Sequence, residues 1–502
     1  MYFDSEDSDD YSFSSGVEAY NDGQIQAEGI HATIYRAEAN DDNESSSRVN
    51  SFKIQAVKSV TTFKNARLEP HDIRAEAYIL ARLRHTNIIE LLSASFSRQE
   101  KLYRIVMPFI PLTLHTLLEN PNISPYFPPK QALKFDQGPR LTSNTVSRAH
   151  TLAKSFLYQI VAAIAFLHTN SRPVAHRDIK PSNILVQPDG RIKLIDFGIS
   201  WEGRSRGHGA SFEEAHGDDG YERLTGFTNL PKPEWDETPD HMCCQVSSGP
   251  YRAPELLFAP RQYDAFAADL WSLGVLVSSF FTSFRFDPEE TVSAASEFDW
   301  DALTPQEDTD VHDQSTSAAN LLDPTIPFNV PSAVVNTKRA GTWRRMFLFD
   351  NTRGEIGLIA SIFKLLGTPT EETWPASPLD DFSSLPAASA LVFSPTLPQP
   401  LRPLLPNLVA GASQPGSAAD IDQNWVPDSE NVFQLIQEIV RYPPQSRTGA
   451  SNLLRHAYFT QGRFPTFPPG YMVAESSEQT SPTDGSNTLA EFISQLLTYS
   501  ND

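Results

Sequence analysis

The stretch HRDIKPSN, His176 to Asn183, lies between two apolar runs. It sets Asp178 and Asn183 five positions apart, with Lys180 between them. Upstream, HTLAKSFLYQIVAAIAFLHT (150–169) is apolar almost all round, as a buried helix is. Downstream, NILVQPDGRIKLI (183–195) reads as two short strands about a turn at Pro188-Asp189-Gly190. Directly after that hairpin comes DFG, with Asp196 eighteen positions beyond Asp178. Singly these signals are weak, because Asp and Asn favour turns for local reasons. Their weight comes from what surrounds them.

Working outward, TIYRAEA (33–39) and FKIQAVKSV (52–60) alternate and are rich in β-branched residues, so they predict strands. The AVK at 56–58 puts Lys58 at the end of a strand. DIRAEAYILARL (72–83) predicts a helix with Ile73, Ala77, Leu80 and Leu83 on one face, and it carries Glu76. LYRIVMPFI (102–110) is a further strand. On the C-terminal side, DLWSLGVLVSSFF (269–281), EIGLIASIFKLLG (355–367) and NVFQLIQEIV (431–440) predict helices. The class is α+β: a small sheet with one helix, then a larger and mostly helical part.

In order, AVK, Glu76, HRDIKPSN, DFG, YRAPE (251–255) and DLWSLG resemble the eukaryotic protein kinases over roughly residues 20–465. That resemblance implies a two-lobed fold: an N-lobe over 19–112 with its helix C, and a C-lobe over 113–465. It also implies ATP and Mg²⁺ as cofactors and a protein as substrate. By the family's pattern Lys58 holds the α and β phosphates and Glu76 holds Lys58. Asp196 and Asn183 are the Mg²⁺ ligands; both offer hard oxygens. Asp178 accepts the proton of the substrate hydroxyl, and Lys180 sits beside the γ-phosphate. Met107 guards the back of the nucleotide pocket. Pro108 contributes its C=O and Ile110 its N–H to the base. Glu255 of YRAPE pairs with Arg447 as a structural support.

The chain departs from the pattern in places. The phosphate-covering loop, AEGIHATIY (27–35), has Ala27, Gly29 and Ala32 where three glycines are usual. An L-residue forced into a left-handed conformation costs about 1–2 kcal/mol, so an active enzyme with altered nucleotide affinity is expected. In CCQVSSGPYRAPE (243–255), Cys243 stands where related kinases carry an activating phosphothreonine, so no phosphate there can pair with Arg177. Ser248 falls on the threonine that packs near the catalytic loop, and Pro250 replaces a tryptophan.

EIGLIASIFKLLGTPTEETWP (355–375) resembles the CMGC group, cyclin-dependent kinases included. The helix that would bind a cyclin, EPHDIRAEAYIL (69–80), lacks that signature, so no cyclin is expected. These departures together resemble the fungal single-subunit kinases that activate cyclin-dependent kinases. That implies transfer to the activation-segment threonine of another kinase. A proline-directed CMGC kinase and a nucleotide-binding pseudokinase scaffold stay open beside it.

The net charge of −22 is concentrated in segments. Residues 1–16 carry five acids, 286–337 eleven and 471–502 five, all without Lys or Arg. The rest is nearly neutral, which disfavours nucleic acid as a partner. A disordered acidic tail is expected over 1–18, insertions at about 121–147, 201–241, 286–337 and 376–425, and an acidic tail over 466–502. No apolar run is expected to approach the ~20 residues that span a bilayer, so no membrane partner is expected. The N-terminus does not read as a signal peptide. Cys243 and Cys244 are neighbours that rarely bridge. A soluble protein of the cytoplasm, the nucleus or both is expected. Near the C-terminus, TLAEFISQLLTY (488–499) puts Leu489, Phe492, Ile493, Leu496 and Leu497 on one helical face, with Thr488 and Glu491 spaced as a capping box. That face must be covered, by the chain's own lobes or by a partner.

Overall fold

A computed structural model describes residues 24–28, 32–38, 54–61, 70–97, 101–120, 143–203, 237–288, 341–375, 393–408, 425–473 and 488–498. Five antiparallel strands form the first sheet: β1 (Gln24–Glu28), β2 (Thr33–Glu38), β3 (Ile54–Thr61), β4 (Ser93–Ser97) and β5 (Leu102–Pro108). Their order is β1-β2-β3-β5-β4. Successive residues of a strand point to opposite faces. Val57 therefore packs with Ala37, Leu92 and Val106 on one side. Ala56 and Lys58 fall on the other, in register with Met107 and Ile105. Lys58 is not at a strand end, as the sequence suggested. It is the fifth of the eight residues of β3, because pairing with β5 continues through Val60 and Thr61.

Helix α1 (Ile73–Arg82) starts where Asp72 accepts a hydrogen bond from the Arg74 amide at 2.8 Å. Ile73, Ala77, Leu80 and Leu83 are buried as the periodicity required, and Glu76 is buried beside them at 1% exposure.

The second lobe is built on helices. After β6 (Leu112–Thr113) and α2 (Leu114–Leu118) comes α3 (Ser143–Thr169). Within α3, Arg148–Thr169 is long and apolar enough to cross a membrane, which corrects the expectation that no run reaches that length. Its most apolar window is 78% buried inside the fold, with Phe156, Leu157, Val161 and Ile164 fully enclosed. It is the core helix of this lobe. Then follow β7 (Val174–Ala175), β8 (Ile184–Val186), β9 (Ile192–Leu194) and β10 (Trp201–Glu202). β8 and β9 form the expected hairpin, with Gly190 at φ +88° in its turn.

Helix α4 (Ala265–Ser279) is capped by Asp264, which accepts from the Phe266 and Ala267 amides. It is buried along nearly its whole length. It lies against α6 (Trp425–Ile439), and Gly274 allows the approach: a Cβ there would stand 2.6 Å from Val440 Cγ2. Between these come β11 (Phe284–Pro288), β12 (Gly341–Arg345) and α5 (Gly354–Leu366); α7 (Ala450–Leu453), α8 (Ala457–Thr460) and α9 (Leu489–Thr498) follow.

The insertions are narrower than the sequence suggested. Residues 143–147 belong to α3, and 286–288 pair with β12. Residues 393–408 run beside α5, where the Gln399 amide reaches the Leu365 carbonyl at 2.9 Å. Both ends of the 201–241 span are held, as set out below. The remaining parts of these spans, and the 1–18 tail, lie outside the described residues. Of the C-terminal segment, residues 466–473 and 488–498 lie on the fold, and the rest of the acidic tail lies outside the described residues. Phe467 packs against Tyr158, and the Thr466 amide donates to Ser155 Oγ. The first part of the amphipathic face of α9 is covered by the chain's own fold: Leu489 and Ile493 are buried, and Arg148 lies over the Phe492 ring. The side chains of Leu496 and Leu497 lie outside the described residues. The capping box forms in both directions, at 3.1 and 3.3 Å.

Candidate active site

β3, α1 and the segment after β9 bring three charges together. Lys58 Nζ stands 2.7 Å from Glu76 Oε2 and 2.8 Å from Asp196 Oδ1. The second Glu76 oxygen accepts from the Phe197 amide at 3.3 Å. The Asp72 amide donates to the Gly198 carbonyl at 2.9 Å, which ties the start of α1 to the DFG segment. Burial alone would lower the Lys58 ammonium and raise the Asp196 carboxyl. Each is moved the other way by its partners: two carboxylates hold Lys58 above the usual lysine range, and Lys58 holds Asp196 well below the usual carboxylate range.

The loop 176–183 is fixed from below by Asp269 of α4, which is fully buried. Its carboxylate accepts from the His176 and Arg177 amides, both at 2.7 Å, and contacts His168 Nε2 at 2.9 Å. The His176 ring meets the Ile195 carbonyl through Nε2 at 3.0 Å and Phe197 edge-on. Arg177 and Asp196 are both left-handed, at φ +62° and +66°. Such a conformation costs a non-glycine residue about 1–2 kcal/mol. Strain of this kind persists where the surroundings over-determine the backbone, as the Asp269 bonds do here.

Asp178, Lys180 and Asn183 form one network. Asp178 Oδ2 is 2.7 Å from Lys180 Nζ and accepts from Asn183 Nδ2 at 2.9 Å. Asp178 Oδ1 accepts from Ser248 Oγ at 2.8 Å, and Ser248 Oγ accepts in turn from Lys180 Nζ at 2.7 Å. Ser248 is thus beside the loop, as expected.

The residues present fit a magnesium nucleotide. The Asn183 amide nitrogen is committed to Asp178, so its Oδ1 is left for a cation. The Ile195 amide donates to the Asn183 carbonyl at 3.0 Å, which brings Asn183 next to Asp196 in space. An amide oxygen and a carboxylate, completed by phosphates and water, are what Mg²⁺ takes. Met107, in register with Ala56, lies on the Lys58 side of the sheet; Pro108 ends β5, and Ile110 follows, buried. Among the described residues the Ile110 N–H has no acceptor, which leaves it for a ligand. Gly29 lies outside the described residues. The Ala27 backbone pairs with Ile34 after a register shift in β1. Neither Ala27 nor Ala32 is left-handed, so the strain expected from the missing glycines is not incurred.

Two further pairs flank the site. Arg447 meets Glu255 through two bonds of 2.7 and 2.8 Å, both side chains buried, as expected. Arg177 is paired with Glu237 and Tyr263. Sequence reasoning missed Glu237, because it lies in a span that reads as insertion. The one available signal was Arg177 itself, which needs a countercharge once Cys243 cannot carry a phosphate.

Comparison with known proteins supplies the family. "Cyclin-dependent kinase D-1" of Arabidopsis thaliana is 25% identical over 393 residues, 78% of this chain and 61% of that protein. Human "Cyclin-dependent kinase 20" is 22% identical, over 64% of this chain and 57% of its own length. The chain therefore spans about three-fifths of these two relatives. The serine/threonine-protein kinase ppk23 of Schizosaccharomyces pombe is 24% identical over 82% of this chain and 71% of its own. Among solved structures, the yeast RNA Pol II CTD kinase CTDK-1 complex aligns over 88% of this chain and 93% of that chain, with 18% identity and a TM-score of 0.49. The CAK complex from Chaetomium thermophilum bound to ATP-gamma-S aligns over 88% and 92%, with 20% identity and a TM-score of 0.47. The model of the protein kinase domain matches residues 45–459, well over half of the sequence, and the chain belongs to the protein kinase family.

Proposed function

We propose that this chain is an ATP-dependent protein serine/threonine kinase of the CMGC type. The observation that carries the proposal is Lys58 held between Glu76 and Asp196 at 2.7 and 2.8 Å. ATP supplies the transferred phosphoryl group, and Mg²⁺ supplies countercharge to it. The chain's own residues position and accept. Lys58, fixed by Glu76, orients the phosphates. Asp196 and Asn183 hold the metal. Asp178, its carboxylate oriented by Asn183 and Ser248, takes the proton of the acceptor hydroxyl. Lys180 places a positive charge beside the base, where it can offset the negative charge of the transferred phosphoryl group.

The substrate we propose is the activation-segment threonine of a cyclin-dependent kinase. Support comes from the departures at Cys243 and in helix α1. Nothing supports the expected absence of a cyclin, since several relatives are named as cyclin-dependent kinases. A second reading, proline-directed transfer, is favoured by Ser247. Its backbone is left-handed at φ +65° directly before Ser248. That turn redirects peptide groups beside the base, and a substrate residue without an N–H suffers least from it. We place the activity in the cytoplasm or nucleus, in line with Cys243 and Cys244 both being free thiols.

The test is radiolabel transfer from ATP by the purified chain to intact cyclin-dependent kinases and to a peptide array. Transfer should be lost in Asp178→Ala and Lys58→Met. Transfer without a cyclin and without need for proline after the acceptor supports the first reading. A strict proline requirement supports the second. Nucleotide binding with no transfer to any acceptor overturns both and leaves a pseudokinase.

A further inference from the structure

Arg177 stands directly before Asp178, and its side chain is 2% exposed. Four acceptor atoms from three residues surround its guanidinium. Nε donates to the Ile199 carbonyl at 2.7 Å. Nη2 donates to Glu237 Oε1 at 3.1 Å, and Nη1 reaches both Glu237 Oε2 and, at 3.2 Å, the Tyr263 hydroxyl. The Glu237 side chain is itself 4% exposed. This is a two-pronged pair of the kind that fixes both position and orientation.

Glu237 is held from its other side too. Its carbonyl accepts from Trp201 Nε1 at 3.2 Å. Trp201 lies in β10, which pairs with β7 at Ala175, the residue before His176. Residues 201–203 and 237 onward, the two ends of the inserted span, therefore meet at the base of the loop 176–183. The contact continues into the segment beyond. Tyr263 donates its hydroxyl proton to the Cys243 carbonyl, and Ser247 Oγ donates to the Arg177 carbonyl at 2.7 Å.

We propose that Glu237 is a positioning residue: a permanent carboxylate that neutralises Arg177 and holds the Asp178 loop in its working arrangement, so that no phosphoryl group on residues 237–255 is needed. This rests on the kinase reading above and adds its mode of control. A phosphate must be added by another enzyme and can be removed. A glutamate side chain is part of the chain itself and needs no second enzyme to put it in place.

The experiment uses the full chain in four forms: wild type, Glu237→Gln, Glu237→Asp and the double variant Arg177→Met/Glu237→Leu, whose apolar pair keeps the site filled if a lone buried arginine unfolds the chain. Three readouts are taken: kcat and KM for ATP, melting temperature, and amide hydrogen exchange over 176–183. Wild type made in bacteria and treated with a phosphatase should keep its kcat. Glu237→Gln should lower kcat per folded molecule by about 100-fold, as a misplaced reacting group does, with KM for ATP changed by less than about threefold. The folded fraction is taken from the melting curve, because loss of folded protein alone would also lower the apparent kcat at unchanged KM. Glu237→Asp should recover part of the kcat. Exchange over 176–183 should rise in Glu237→Gln and in the double variant. A kcat in Glu237→Gln within twofold of wild type, or a phosphatase-treated wild type that loses its activity, overturns the proposal. Should wild type transfer no phosphate, the kinase reading fails, and exchange still decides the clamp: unchanged protection over 176–183 in Glu237→Gln refutes it.

Discussion

At Arg447 a guanidinium faces Glu255 through two bonds, donates further to the Ala267 and Arg441 carbonyls, and lies over the Trp271 ring. At Lys58 one ammonium serves two carboxylates on elements that meet only by folding. The first pair is closed: both side chains are within 2% of full burial. The second is open: the Lys58 and Asp196 side chains keep 14% and 31% of their surface exposed. A closed pair holds a fold. An open one, with a cation shared and a carboxylate edge left over, can exchange partners for phosphate and metal. The difference between a support and a site is thus capacity left after folding, rather than the presence of charge.

The sharpest way to break this contrast is at Asp178 and Lys58. Asp178→Ala should cut transfer by about 10²–10⁴-fold, the range a positioned base contributes. Its melting temperature should stay close to wild type, because the loop is pinned by Asp269 from below. A large melting shift would mean that the Asp178 network supports the fold as Arg447 does.

Arg447→Ala is the mirror image. It leaves Glu255 buried without its partner, which costs about 3–5 kcal/mol. Denaturant unfolding should show that loss, while kcat per folded molecule stays the same. A loss of kcat at unchanged stability would place the pair in the chemistry instead.

These two sites also show what could be read from the chain alone. Lys58, Glu76, Asp178, Asn183, Asp196, Glu255 and Arg447 were legible because their chemistry demands fixed residue types at fixed places in a chain order. The helix and strand pattern was legible wherever periodicity met a buried face, as at Ile73, Ala77 and Leu80. Lys58 was misplaced to a strand end because pairing partners, not local sequence, decide where a strand stops. Glu237 was hidden because its role depends on Arg177, sixty positions away, and its neighbours read as loop. The cover over α9 was hidden likewise. Leu489 sits where a Cβ on Gly190 would come within 2.6 Å, and no local pattern announces that contact.

A third way to bury a titratable group is to leave it uncharged, and His150 sharpens the comparison. It is 2% exposed on α3, with its Nε2 3.2 Å from the Asn407 carbonyl. Burial, helped by nearby Lys154, brings it down from 6.5 to about 4. Between those values the unfolded chain binds the proton and the folded chain does not, so stability rises with pH there. The contribution is complete above about 6.5 and is lost as pH falls towards 4. At about 1.36 kcal/mol per pKa unit it is worth about 3 kcal/mol. His150→Gln can keep the bond to Asn407 without the titration. Urea unfolding at pH 7 and pH 4.5 should show a smaller difference for the variant. Part of the slope will remain, because His85 is lowered to about 4 as well. An equal slope in both proteins would show that His150 is not held neutral.

The smallest effect, and the one whose sign decides most, belongs to Ala27. If the missing glycines crowd or strain the phosphate-covering loop, Ala27→Gly should lower KM for ATP. The backbone argues the reverse. Ala27 lies in β1, pairs with Ile34 and is not left-handed, so alanine meets no conformational penalty there. Glycine inside a strand costs about 0.5–1 kcal/mol through the freedom it must give up. KM for ATP should therefore rise by about two- to fivefold, with kcat unchanged. The open pair at Lys58 would then rely on β1 staying ordered above it, and alanine at this position would be a stabilising choice for this chain rather than a defect. A fall in KM would return the loop to the family's usual logic, in which room for the phosphates outweighs order in the strand.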